Sequence, residues 1–143
     1  MRVFFDTSSF VKRFVEEVGS DKADAIIHSA SEIGLSIICF PEIISALNRK
    51  RRTGVLDQEI YITLKKDILD DIEDADIINL TPNVIKKTIE LLENNLLRSL
   101  DAIHIACAIE WQADLFVSSD QRQIIAANAA GLKIEFIEGI RAN

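Results

Sequence analysis

Short, almost wholly apolar runs recur along the chain, each separated from the next by a longer segment of helical periodicity. The apolar runs fall at residues 3–5, 35–40, 77–80, 115–117 and 134–137. Four of the five lack the polar alternation of a half-solvated strand, so they read as strands covered on both faces. The intervening segments, at about 8–15, 21–31, 41–53, 57–74, 82–94, 101–112 and 121–130, place apolar residues on one face at helical spacing. Pro41 is a good first helical residue, and Gly54 and Gly131 follow segments that need a stop. Strands separated by helices require right-handed crossovers and therefore a parallel sheet. The expected architecture is three-layer α/β/α, with a central parallel sheet of about five strands, in one domain over residues 1–143. No linker, repeat or low-complexity segment interrupts this pattern.

Several classes of function are disfavoured. Every apolar stretch is interrupted by polar or charged residues before it could span a bilayer, and Asp6 arrives too early for the apolar region of a signal peptide. Cys39 and Cys107 are far apart and each lies among aliphatic residues, which predicts two buried thiols in a reducing cytoplasm. Net charge is −7, from 23 acids against 16 bases. Binding of nucleic acid by bulk attraction would call for a basic surplus. Acids that hold a cation escape this argument, because the ion inverts the local field.

Four acids occupy informative places. Asp6 follows the first strand, Glu42 lies just past the second, and Asp120 follows the fourth after Ser118-Ser119. Asp101 begins the helix that leads into that fourth strand. Ligands of open α/β sheets bind beyond the carboxyl ends of the strands, where the strand order reverses. If the first and fourth strands are neighbours there, Asp6 and Asp120 face each other across a crevice. Each acid has a plainer explanation: Asp6, Asp101 and Asp120 suit helix N-caps, Gln123 completes a capping-box pattern with Asp120, and Glu42 suits a first helical turn. Taken together, four carboxylates at one sheet edge repel one another unless a cation lies between them. Hard divalent ions take such oxygen ligands, and no histidine–cysteine cluster points to zinc.

The stretches carrying these acids resemble the PIN-domain ribonucleases, in particular the toxin subunits of VapBC-type toxin–antitoxin pairs. Phe5-Asp6-Thr7-Ser8-Ser9-Phe10-Val11-Lys12 resembles the family's opening strand and first acid, and Pro41-Glu42-Ile43-Ile44-Ser45-Ala46-Leu47 its second-acid helix. Leu97-Arg98-Ser99-Leu100-Asp101-Ala102-Ile103-His104-Ile105-Ala106-Cys107-Ala108 is the most specific match, and Val117-Ser118-Ser119-Asp120 resembles the fourth motif. The order of the motifs is that of the family. Two departures stand out: Ser118 takes a place usually held by threonine, and Gln123 one where some members carry a further acid.

The resemblance implies a PIN-like fold and hydrolysis of RNA phosphodiester bonds with Mg2+ or Mn2+, leaving a 5′-phosphate and a 3′-hydroxyl. It makes Asp6 and Asp101 the principal metal ligands, with Glu42 and Asp120 binding directly or through water and helping to orient the nucleophile. Ser8 and Ser118 are expected to hydrogen-bond the ligating carboxylates. Arg49, Arg98 and Lys12 are candidate RNA contacts, although the run Arg49-Lys50-Arg51-Arg52 equally suits the dipole of a helix C-terminus. The resemblance further implies an RNA substrate, a homodimer and a cognate antitoxin protein whose inserted segment blocks the acidic pocket.

Other candidates weaken on inspection. His104 is read as a packed, hydrogen-bonded histidine without a catalytic role. The acids from Asp67 to Asp76 lack the glycine and spacing of a calcium loop. A phosphoacceptor receiver domain would pair two acids after the first strand, and a haloacid-dehalogenase-type phosphatase would carry aspartate where Ser8 stands. The remaining rivals are a PIN-like domain that binds RNA or protein without cutting, and an RNA-processing nuclease that is not a toxin.

Overall fold

A computed structural model describes residues 1–139; the last four residues of the expected 1–143 domain lie outside the described range. Five strands, β1 (Arg2–Phe5), β2 (Glu32–Ser36), β3 (Asp76–Ile78), β4 (Leu115–Ser118) and β5 (Ile134–Phe136), form one sheet in the order β3-β2-β1-β4-β5. Every pairing is parallel. The chain builds outward from β1 through β2 to β3, then returns to lay β4 on the other side of β1. The strand order therefore reverses between β1 and β4.

Seven helices cover the two faces: α1 (Thr7–Phe10), α2 (Ser20–Ser29), α3 (Cys39–Arg52), α4 (Gln58–Asp74), α5 (Pro82–Asn94), α6 (Ser99–Glu110) and α7 (Gln121–Ala129). The three layers follow from the two-residue period of the strands. Val3 and Phe5 point to one face and pack with Ile27, Leu35, Ile43, Leu47 and Ile68 beneath α2, α3 and α4. Phe4 points to the other and packs with Phe116, Val84, Ile105 and Ala127 beneath α5, α6 and α7. A single strand thus feeds both cores, which is why β1 has no polar face.

Element boundaries differ from expectation where an apolar run has no internal period. β2 lies at 32–36 rather than 35–40, and Cys39 and Phe40 open α3 ahead of Pro41. A run of five or six apolar residues fits a buried strand and the buried start of a helix equally well. Gly34 sits in β2, where a Cβ would come within 2.7 Å of the Trp111 ring. The first expected helix is two short pieces, α1 and a 3-10 turn over Val11–Arg13. α6 begins at Ser99, so Asp101 lies inside its first turn instead of opening it.

Candidate active site

The reversal between β1 and β4 brings the ends of these strands side by side, with Phe5 registered on Val117. Asp6 and Ser118, next in each chain, therefore meet. The carboxylate of Asp6 is fully buried. Its Oδ1 accepts the Ser9 amide at 3.0 Å and the Ser9 hydroxyl at 2.7 Å, while Oδ2 accepts the Ser8 hydroxyl at 2.7 Å and the Ser118 hydroxyl at 2.8 Å. Two of these hydroxyls are aimed by backbone: the Ser119 amide donates to Ser8 Oγ at 3.0 Å and the Asp120 amide to Ser118 Oγ at 2.9 Å. Each amide occupies an oxygen lone pair, which leaves the hydroxyl proton to point at Asp6. A buried carboxylate is tolerated only with such a set of donors.

Asp120 caps α7 by accepting the Arg122 amide at 2.9 Å, and Asp6 caps α1. Both play the plain capping role and stand at the strand ends as well. The capping box expected from Gln123 is absent: Gln123 is buried, and its Nε2 donates instead to Asp101 Oδ1 at 3.1 Å. The second oxygen of Asp101, Oδ2, accepts from Arg98 Nε at 3.2 Å. Burial raises the pKa of Asp101; Arg98 pulls it down, but the negative charge of Asp120 raises it further, and the net shift is upward. Asp101 and Asp120 thus feel each other as like charges.

Glu42 enters from α3. Its Oε1 accepts the Thr7 hydroxyl at 2.6 Å and lies 2.6 Å from Nε2 of His104, a residue 1% exposed on α6. Burial pushes the Glu42 pKa up, yet the hydrogen bonds from His104 and Thr7, with the charges of His104 and Arg98, outweigh it and hold the carboxyl below its ordinary value. Glu42 and Asp101 line one cavity of 340 Å³ together with Arg98, Ser99 and Leu100. A neighbouring groove of 440 Å³ carries Glu42 on to Ser45 and Arg49 along α3.

The structure places the expected residues as follows. Asp6, Ser8, Ser118 and Asp120 form one hydrogen-bonded unit, and Glu42 and Asp101 share one cavity. Thr7, adjacent to Asp6, and the field between Asp120 and Asp101 join the two groups at the carboxyl edge. Arg49 and Arg98 are exposed beside this edge. Lys12 is not: it is 3% exposed, and its ammonium bonds Glu17 at 3.0 Å and the Val18 carbonyl at 2.8 Å. The expectation that Lys12 contacts RNA is withdrawn, because a buried, paired ammonium presents no charge to a phosphate. Among the described residues no three of His, Cys, Asp and Glu come close enough together to enclose an ion.

Sequence reasoning missed four partnerships. Ser9 and Thr7 are hydroxyls within three residues of Asp6, a signal visible in hindsight. His104 was read as packed and hydrogen-bonded, which holds, but its partner is a site carboxylate. Its spacing of three from Asp101 put both on one face of α6. Gln123 gave no signal beyond its distance from Asp120.

The donor set suits a hard divalent cation: it is all oxygen at the rim, and Asp120 and Asp101 repel each other without a positive charge between them. With this arrangement in view, the comparisons with known proteins settle the class. The PIN domain family matches residues 3–129, and the chain belongs to that family. PIN domains are nucleases that generally use a divalent metal. Ribonuclease VapC45 of Mycobacterium tuberculosis is 30% identical over 134 residues, which cover 92% of this chain and 93% of that relative. Among solved structures, VapC20 of M. tuberculosis, a sarcin–ricin loop cleaving toxin, superposes with a TM-score of 0.67 at 17% identity, over 98% of this chain and 99% of that one. VapBC2 of Rickettsia felis, bound to a DNA fragment from its promoter, gives a TM-score of 0.68 at 16% identity, over 96% of this chain and 100% of that one. At these identities the two structures speak for the fold.

Proposed function

We propose that this protein is an endoribonuclease dependent on Mg2+ or Mn2+, acting as the toxin of a VapBC-type pair, with Asp6, Glu42, Asp101 and Asp120 as its metal-binding and catalytic acids. The observation that carries the reading is that Ser118 binds the Asp6 carboxylate and the Asp120 backbone amide at the strand reversal, with Asp101 in the field of Asp120. The relatives named ribonuclease VapC supply the substrate class.

A bound divalent ion would polarise the scissile phosphate and help ionise a water. The rest falls to the chain's own groups. Asp6, held by three serines, cannot rotate and offers a fixed negative charge. Asp101 and Asp120 supply the reachable oxygens. Glu42, ionised through its bonds to His104 and Thr7, can orient a water beside Asp101. Arg98 and Arg49, exposed along α3 and the start of α6, would neutralise RNA phosphates. The expected partners are an antitoxin and a second copy of the chain. A single domain in the cytoplasm fits the two free, buried thiols Cys39 and Cys107. Among the described residues no helix is long and apolar enough to cross a membrane.

The alternative reading is a domain that binds RNA without cutting it. Cleavage of a structured RNA with Mg2+, with EDTA, and by Asp6→Asn and Asp101→Asn separates the two. The nuclease reading requires loss of product in all three of the latter conditions. Product that persists through both chelation and substitution would end it.

A further inference from the structure

We infer that His104, with Thr7, clamps one oxygen of Glu42 so that only the other oxygen is presented to the cavity Glu42 shares with Asp101, which makes His104 a positioning residue of the site. Both hydrogen bonds to Glu42 land on the same atom: Thr7 Oγ1 and His104 Nε2 each lie 2.6 Å from Oε1. Oε2 receives no hydrogen bond among the described residues. An ionised carboxylate only accepts, so Nε2 must carry the proton. His104 Nδ1 is buried and has no partner. A histidine kept purely for packing would satisfy both nitrogens, since an unpaired buried polar atom destabilises the fold. The ring is instead held through Nε2 alone, which lies 2.6 Å from Glu42 Oε1 and 3.2 Å from Thr7 Oγ1.

The placement has a mechanical consequence. His104 sits one turn after Asp101 on α6, while Glu42 lies in the first turn of α3. The same helix thus carries one acid of the site and the clamp on another. This fixes the distance between Glu42 and Asp101 and prevents Glu42 from turning both oxygens inward. Cys39, also on α3, is close enough to Thr7 and to the charges of Asp6 and Glu42 to feel them. Burial pushes its thiol far up, so it adds no negative charge beside Glu42.

The inference rests on the reading of Glu42 as part of a nuclease site, and its test separates the two. Long-range 1H–15N correlation spectra of the metal-free protein at neutral pH report which imidazole nitrogen is protonated. A proton on Nε2 that disappears from its shifted position in Glu42→Gln is expected; a bare Nε2 overturns the clamp whatever the activity. In cleavage assays His104→Leu should lower kcat about 10- to 100-fold, the range for loss of a group that orients a ligand, with KM for RNA unchanged within about twofold. His104→Gln, which restores an N–H near Nε2, should recover at least about half of that loss on a logarithmic scale, and Thr7→Val should fall between. Glu42→Gln combined with His104→Leu should be no slower than Glu42→Gln alone. Equal losses in His104→Leu and His104→Gln, or additive losses in the double variant, would overturn the inference. Full activity in Glu42→Gln would remove the nuclease role of Glu42 and leave the spectroscopic result standing.

Discussion

The Ser118 hydroxyl donates to Asp6 Oδ2 at 2.8 Å while accepting the Asp120 amide at 2.9 Å, so one side chain fastens the end of β1 to the end of β4. Because the hydroxyl is committed in both directions, Asp6 and Asp120 keep a fixed relation without touching. Catalytic carboxylates need such preorganisation, since reorientation during the reaction would lower the rate.

Asp6→Asn should therefore lose activity and stability together. The amide would turn N–H donors toward the Ser8, Ser9 and Ser118 hydroxyls in a buried cluster. An unsatisfied buried group costs about 1–3 kcal/mol, which urea unfolding of the metal-free variant will measure. Unchanged stability would mean that the serines can reverse their hydrogen bonds at no cost.

Asp101→Asn should behave differently. Burial first, and then the charge of Asp120, raise the Asp101 pKa despite Arg98. A carboxyl raised in the folded state contributes stability at pH values below its unfolded value and loses it as pH rises through the folded value. At neutral pH the metal-free wild type therefore carries an ionised Asp101 that the fold disfavours. The variant should be more stable than wild type in EDTA at pH 7, with the difference vanishing toward pH 3. Its RNA cleavage should fall more than about 100-fold, beyond the loss typical of an outer hydrogen-bonding partner.

Glu42 reverses that sign. Although burial raises its pKa, the bonds from His104 and Thr7 bring it below the ordinary value. Its contribution is present above the unfolded carboxyl pKa and is lost as pH falls through the lower folded value. Glu42→Gln should flatten the acid limb of the stability profile in chelator, measured by thermal unfolding between pH 3 and pH 6. A steeper limb in the variant would contradict the assignment.

Lys12 and Arg49 should separate structural from RNA-contacting charge. Removing one partner of a buried ion pair destabilises by about 3–5 kcal/mol, so Lys12→Ala should unfold readily and leave the salt dependence of RNA binding unchanged. Arg49→Ala should retain its stability and bind RNA more weakly, with a shallower salt slope by about 0.7–0.9, one phosphate contact. Fluorescence anisotropy in Ca2+, at several salt concentrations, reads both.

The layered fold was legible in the sequence because burial on both faces leaves runs such as 115–117 without a polar position, and covering helices leave a helical period. The strand-end acids were legible for the same reason: Asp6 and Asp120 are the first charged residues after the apolar runs of the first and fourth strands, and Asp101 was marked by the motif around it. What the tertiary structure alone decided is which groups meet. Ser118 serves Asp6 only because β4 returns beside β1. His104 holds Glu42 only because α6 crosses near the start of α3. Gln123 leaves its own helix cap for Asp101, and Lys12 turns inward to Glu17. Local periodicity records whether a side chain is buried, whereas the identity of its partner depends on elements as far as 112 residues away, and on charge balance that no single segment contains.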